Sequence, residues 1–219
     1  MDRTPWVIRG GVVVLTVAGL VLTREMGWLA KALFIGPAAA VLAIAEYVWT
    51  RQGQRRAVVA VGQRLGLTAK PGIANDELEG DLGGFHLHYA SESNNEVGRP
   101  VCVTVTLPPG PWSDQVAIGP KALAYRMKKS VPDGEEQDLG DGLRAFSTSA
   151  GRAIVAKVAA PGSELSVLFH RDFAKGHWGA ALLNGKLITA TYTKYVTEEL
   201  LTAHLGALLD AARALTAER

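Results

Sequence analysis

The chain opens on an almost unbroken run of apolar positions and then changes character. From Pro5 to Thr23 (PWVIRGGVVVLTVAGLVLT) the only charge is Arg9; from Trp28 to Trp49 (WLAKALFIGPAAAVLAIAEYVW) the charges are Lys31 and Glu46. At 1.5 Å per residue these runs reach about 28 and 33 Å, against a bilayer hydrocarbon core of about 30 Å. The pattern predicts two membrane-spanning helices, over about 5–23 and 28–49, folded into a hairpin by Arg24–Gly27. Trp6, Trp28 and Trp49 mark the ends of the runs, where aromatic side chains favour the interface, and Arg9 is near enough to an end to snorkel. Small residues (Gly11, Ala18 and Gly19; Gly36, Ala39, Ala40 and Ala43) allow close helix approach, and Pro37 is expected to kink the second helix. No small-residue cleavage site follows the first run, so it reads as a retained span rather than a signal peptide.

Beyond residue 51 the patterning is that of a folded domain, 52–219. Gln52–Leu65 reads as a helix with Val58, Val61 and Leu65 as its apolar stripe, ended by Gly66. Leu78–Leu82 and Phe85–Tyr89 flank Gly83-Gly84, a loop suited to a tight hairpin. Pairing symmetric about that loop sets Leu82 against Phe85, Gly80 against Leu87 and Leu78 against Tyr89. Val101–Leu107 alternates strictly, and setting Tyr89 against Val101 continues the apolar face into a third strand. Pro120–Lys129 reads as a helix, Pro132–Asp141 as an acidic loop and Leu143–Phe146 as a short strand. Short helices are expected near Arg152–Val158 and Ser163–Phe169. Trp178–Leu183 and Lys186–Thr193 flank Asn184-Gly185, a strong hairpin signal. Thr197 caps a closing helix with Glu198 and Glu199 in its first turn and leucines at helical spacing. The fold class expected is therefore α+β: a two-helix transmembrane hairpin, 1–51, followed by a mostly antiparallel sheet of five or six strands packed by helices.

Charge sharpens the division. Five of the 23 Lys and Arg and three of the 21 Asp and Glu lie in residues 1–51, so the remainder is neutral. With a whole-chain charge of +2 there is no basic excess of the kind nucleic-acid binding needs. The single cysteine excludes an intrachain disulfide. Arg3, Arg9, Arg51, Arg55, Arg56 and Arg64 outnumber the basic residues of the inter-span turn, and the positive-inside rule then places both termini and the folded domain in the cytoplasm. Arg51, Arg55 and Arg56 are candidates for a lipid-surface contact.

Chemistry concentrates on the polar face of the expected sheet. Glu79, Asp81, His86, His88 and Cys102 would share it, with Asp81–His86, Glu79–His88 and His88–Cys102 as cross-strand neighbours, a donor set suited to zinc. The competing reading is a solvated face with ordinary acid–histidine pairs. His170 and His177 flank a polar segment, and His204 sits beside the apolar stripe of the closing helix as a boundary residue. Phosphate-loop, dinucleotide, HExxH and GxSxG motifs are all missing from the sequence, and no cofactor is implied.

Leu65-Gly66-Leu67, the run LEGDLGG from Leu78 to Gly84, LPPG from Leu107 to Gly110 and the leucine-rich closing helix together resemble a group of uncharacterised bacterial proteins of the myxobacterial type. The resemblance implies a chain anchored in a bacterial inner membrane, with a small α+β domain, and brings no catalytic or binding residue with it. The resulting expectation is a membrane-anchored, non-catalytic accessory or scaffolding subunit. Its partners would be other membrane subunits, the lipid bilayer and copies of itself. The alternatives are a metal- or small-ligand-dependent enzyme using the His86/His88 face, and a lipid-surface module.

Overall fold

The computed structural model describes residues 28–72, 75–91, 99–169, 179–193 and 196–217. The expected first span, with Trp6 and Arg9, and the segment from His170 to His177 lie outside them. The chain divides into two units, Met1–Gln52 and Gly53–Arg219. One helix, α1 (Trp28–Leu65), runs through the boundary for 38 residues with Pro37 inside it.

The first unit corrects the sequence expectation. Among the described residues no helix is long and apolar enough to cross a membrane. This overturns the two-span hairpin of the expected fold class, the inner-membrane placement and the orientation derived from it. The physical reason lies in the composition of α1. Its apolar stretch carries Glu46, and the helix does not stop at Trp49 but continues through Arg51, Gln52, Gln54, Arg55 and Arg56. Trp28 is the first residue of this helix, whereas Trp49 lies within it and does not mark the end of a separate rod.

The second unit is an α+β fold around one large antiparallel sheet. Among the described residues its nine strands are β1 (Thr68–Pro71), β2 (Asp76–Leu82), β3 (Phe85–Ser91), β4 (Arg99–Thr106), β5 (Val116–Pro120), β6 (Glu135–Gly140), β7 (Leu143–Ser147), β8 (Ala180–Leu183) and β9 (Lys186–Thr193). They are ordered β1-β2-β3-β4-β9-β8-β5-β7-β6. Both hairpins read from the sequence form. Gly83 and Gly84 have φ of 62° and 86°, and Asn184 and Gly185 have 49° and 71°, the paired positive values that a primed two-residue turn requires. The β2–β3 register is the expected one, Leu82 to Phe85 through Leu78 to Tyr89. Between β3 and β4, Tyr89 faces Val103 rather than Val101. A two-residue slip leaves every side chain on its own face, so apolar alternation cannot detect it.

Helix α1 ends as its sequence indicates. Gly66 adopts φ 69° and the Leu67 amide donates back to the Gly62 carbonyl at 2.9 Å, closing the helix with a left-handed residue. The remaining α-helices among the described residues are α2 (Ala124–Ser130), α3 (Arg152–Ala159), α4 (Glu164–Phe169) and α5 (Glu198–Thr216). Thr197 caps α5 by accepting from the Leu200 amide at 3.1 Å. One face of the sheet carries the main core. Leu78, Leu87, Tyr89, Val103, Val105 and Leu187 meet Val58 and Val61 of α1, Val155 and Val158 of α3, Leu168 of α4 and the leucines of α5. A second core lies on the other face, where Leu123, Met127 and Val131 around α2 cover Ala117, Phe146 and Ala181. The expected single layer of helices is thus two-sided at β5, β7 and β8.

Candidate functional site

Where α2 does not cover it, the second face of the sheet presents the predicted polar residues. Glu79 faces His88 and Asp81 faces His86 across β2 and β3. The slip at β4 puts His88 against Thr104, His86 against Thr106 and Cys102 against Ala90. The structure therefore brings Glu79, Asp81, His86 and His88 together as expected and separates Cys102 from His88.

These side chains form a chain of contacts rather than a cage. His86 Nδ1 lies 2.9 Å from Asp81 Oδ1, and its Nε2 lies 3.5 Å from Glu79 Oε1. Glu79 Oε2 in turn accepts a hydrogen bond of 2.7 Å from Lys70 Nζ on β1. That bond, followed by the lysine's charge, holds the Glu79 carboxyl below the usual carboxylate range and raises Lys70 above the ordinary lysine value. Both imidazole nitrogens of His86 are thus committed to carboxylates on an exposed surface, and Glu79 shares its charge with a lysine. Among the described residues no group of three or more His, Cys, Asp and Glu side chains is gathered so as to hold a metal ion.

The arginines singled out for a lipid surface are placed differently from one another. Arg55 Nη2 donates to the Gly72 carbonyl at 2.6 Å, and its Nε lies 3.7 Å from Asp76 Oδ1. Asp76 is buried, and its amide donates to Ser91 Oγ at 3.1 Å. Arg51 and Gln54 are buried as well, whereas Arg56 is exposed. Arg55 is therefore a structural residue tying α1 to the start of β2, and Arg51 does not present itself to the surroundings. A signal for this exists in the sequence: Arg51, Gln54, Arg55 and Val58 follow the i, i+3, i+4, i+7 spacing of one helix face, so the polar residues continue the apolar stripe.

Two further features escaped the sequence reading. His204 is wholly buried on α5, not at the boundary, and its Nδ1 lies 2.8 Å from Oγ1 of buried Thr189 on β9. A shallow depression of about 780 Å³ is lined by Arg64, Thr197, Glu198, Glu199, Thr202 and Ala203. Its cation is engaged: Arg64 Nη2 donates to Thr202 Oγ1 at 2.5 Å, and Nη1 lies 4.0 Å from Glu198 Oε2. Comparison with known protein families, characterised proteins and solved structures yields no match.

Proposed function

We propose that this chain is a non-catalytic accessory or scaffolding subunit whose work is protein–protein contact. The observation that carries the reading is the apolar surface of α1 in the first unit: Val41, Ile44, Tyr47, Val48 and Trp49 are all exposed on one continuous helix. Apolar side chains grouped in this way are costly in water and mark a surface that something covers. The histidine face supports the enzymatic alternative less well. His86 is held between two carboxylates on an exposed part of the sheet, an arrangement whose members bind one another.

The test is affinity purification of the tagged full-length chain from its own cells under gentle extraction, followed by mass determination of the recovered species. The expected result is recovery in a stoichiometric complex, with other subunits or with further copies. A lone monomer at every concentration would overturn the reading.

A further inference from the structure

We propose that the exposed side of α2, built by Lys121, Tyr125, Arg126 and Lys129, docks a short acidic segment of a partner protein. The inference goes beyond the reading above, since it concerns a separate surface in the second unit and stands whether or not α1 is covered. The run from Lys121 to Ser130 (KALAYRMKKS) holds four cations and no acid. Leu123 and Met127 are buried in the second core. At about 100° per residue Tyr125 and Lys129 fall on the opposite side, with Arg126 beside them and Lys121 one turn before. All four side chains are exposed, Tyr125 to 82%.

These charges are not neutralised from within the domain. The acids that follow in the sequence go elsewhere: Glu136 and Asp138 lie 3.8 and 3.1 Å from the Arg144 guanidinium, and Glu135 lies 3.0 Å from Arg152. Lys128 turns aside, donating to the Gly134 carbonyl at 3.1 Å with its ammonium 5.9 Å from the centre of the Phe146 ring. Lys121, Arg126 and Lys129 make no ion pair with a described residue. Arg126 and Lys129 stand three apart on one helix, a spacing at which like charges repel, and a counter-charge from outside relieves that repulsion.

The surroundings select among anions. Across β6 and β7, Glu136 faces Phe146 and Asp138 faces Arg144, so both carboxylates project on the side of the sheet that α2 covers. A nucleic-acid strand running past α2 meets them, as does the plane of an anionic bilayer, and apart from Tyr125 the patch offers a bilayer only the methyl of Ala122 to bury. A short peptide avoids both problems. Lys121 to Lys129 spans roughly 13 Å, the reach of about four extended residues, so such a segment stays clear of β6. Arg126 can take a carboxylate through two parallel hydrogen bonds, and the Tyr125 ring supplies an anchoring contact at the centre.

Fluorescence anisotropy of a labelled pentaglutamate peptide with the full-length chain, at low ionic strength, tests the assignment. Saturable binding is expected, weakened about tenfold by Arg126→Glu or by Lys129→Glu and about threefold by Tyr125→Ala, which changes no charge. Arg56→Glu makes the same change in net charge at an exposed position of α1 and should leave the affinity within about twofold. Thermal melts check that each variant is folded. No saturable binding, or equal losses from Arg56→Glu and Arg126→Glu, would overturn the proposal. Tighter, Arg126-dependent binding to phosphatidylserine vesicles or to a single-stranded oligonucleotide would overturn it as well, by giving the surface to another anion. The complex sought by affinity purification is read separately, so either reading can fail without the other.

Discussion

Arg55 stands 3.7 Å from Asp76 through Nε and Oδ1, with the guanidinium 43% exposed and the carboxylate 1% exposed. The asymmetry decides what a substitution does. Removing the arginine takes a counter-charge from a carboxylate that water barely reaches, whereas Asp76→Asn removes the charge that needs one. Arg55→Met is therefore expected to cost about 1–3 kcal/mol, with part of that cost absent when Asp76 is already asparagine. Urea unfolding of the two single variants and the double gives the coupling directly. A double variant whose cost is the plain sum would show that Arg55 works through its bond to the Gly72 carbonyl alone.

The contact between His204 and Thr189 makes a second prediction. An imidazole buried among the leucines of α5 and β9 is tolerable because the threonine hydroxyl lies 2.8 Å from Nδ1. Thr189→Val keeps the shape and removes the partner, which is expected to cost about 1–3 kcal/mol. Thr189→Val combined with His204→Leu replaces both ends by apolar groups and should cost less than the two single changes together. Chemical denaturation of the four proteins tests this, and strict additivity would show that the pair does not act as a unit.

Lys70 and Glu79 fix a pH dependence whose sign differs at the two ends of the scale. Glu79 is held below its ordinary value of 4.5 by the Lys70 hydrogen bond, so its contribution is present above that pH and is lost as acid protonates it. Lys70 is raised above 10.5 by the same bond, so its contribution is present below 10.5 and is lost as the pH climbs past its folded value. Both side chains are exposed and the effect on stability is small. The sensitive measurement is the titration of the Glu79 carboxyl by NMR. Lys70→Met should move its midpoint upward, toward the ordinary value, and an unmoved midpoint would remove the lysine as the cause.

These interactions show where the sequence was legible and where it was not. Local chemistry was: paired positive-φ residues demanded the turns at Gly83-Gly84 and Asn184-Gly185, and Thr197 with two glutamates demanded a helix start. The β2–β3 register followed because a two-residue loop leaves no freedom. The β4 register did not, because alternation has a period of two and a slip of two is silent, which is why Cys102 stands beside Ala90 rather than His88. Strand β6 (EEQDLG) is an edge strand exposed along nearly its whole length and shows no apolar alternation; Arg144 on β7 binds its Glu136 and Asp138 instead. The largest departure concerns residues 28–49. Their apolar content reads as a bilayer-length rod, but length and composition must be judged on the helix that forms, and α1 extends well into polar sequence. Arg55 stands among the candidates for a lipid contact for a related reason, since basic residues beside an apolar run look alike until a buried partner such as Asp76 is placed.

Gly151 supplies the last prediction, and it turns on space rather than charge. It opens α3 just after β7 with φ −83°, an ordinary value, so conformational freedom is not what requires glycine here. A Cβ at this position would lie 2.3 Å from the Gln115 carbonyl oxygen and 3.0 Å from its carbon and from Val116 Cβ. The obstacle is backbone, held in turn by the bond from the Thr148 amide to that same carbonyl at 3.0 Å. Gly151→Ala therefore forces the start of α3 away from β5 and is expected to cost about 1–3 kcal/mol. The contrast is Gly206→Ala on α5, where a Cβ meets nothing within 4 Å and alanine's helix preference should stabilise by about 0.5–1 kcal/mol. Thermal melts of the two variants should move in opposite directions. A Gly151→Ala protein as stable as the parent would mean that the approach of α3 to β5 is looser than its geometry indicates.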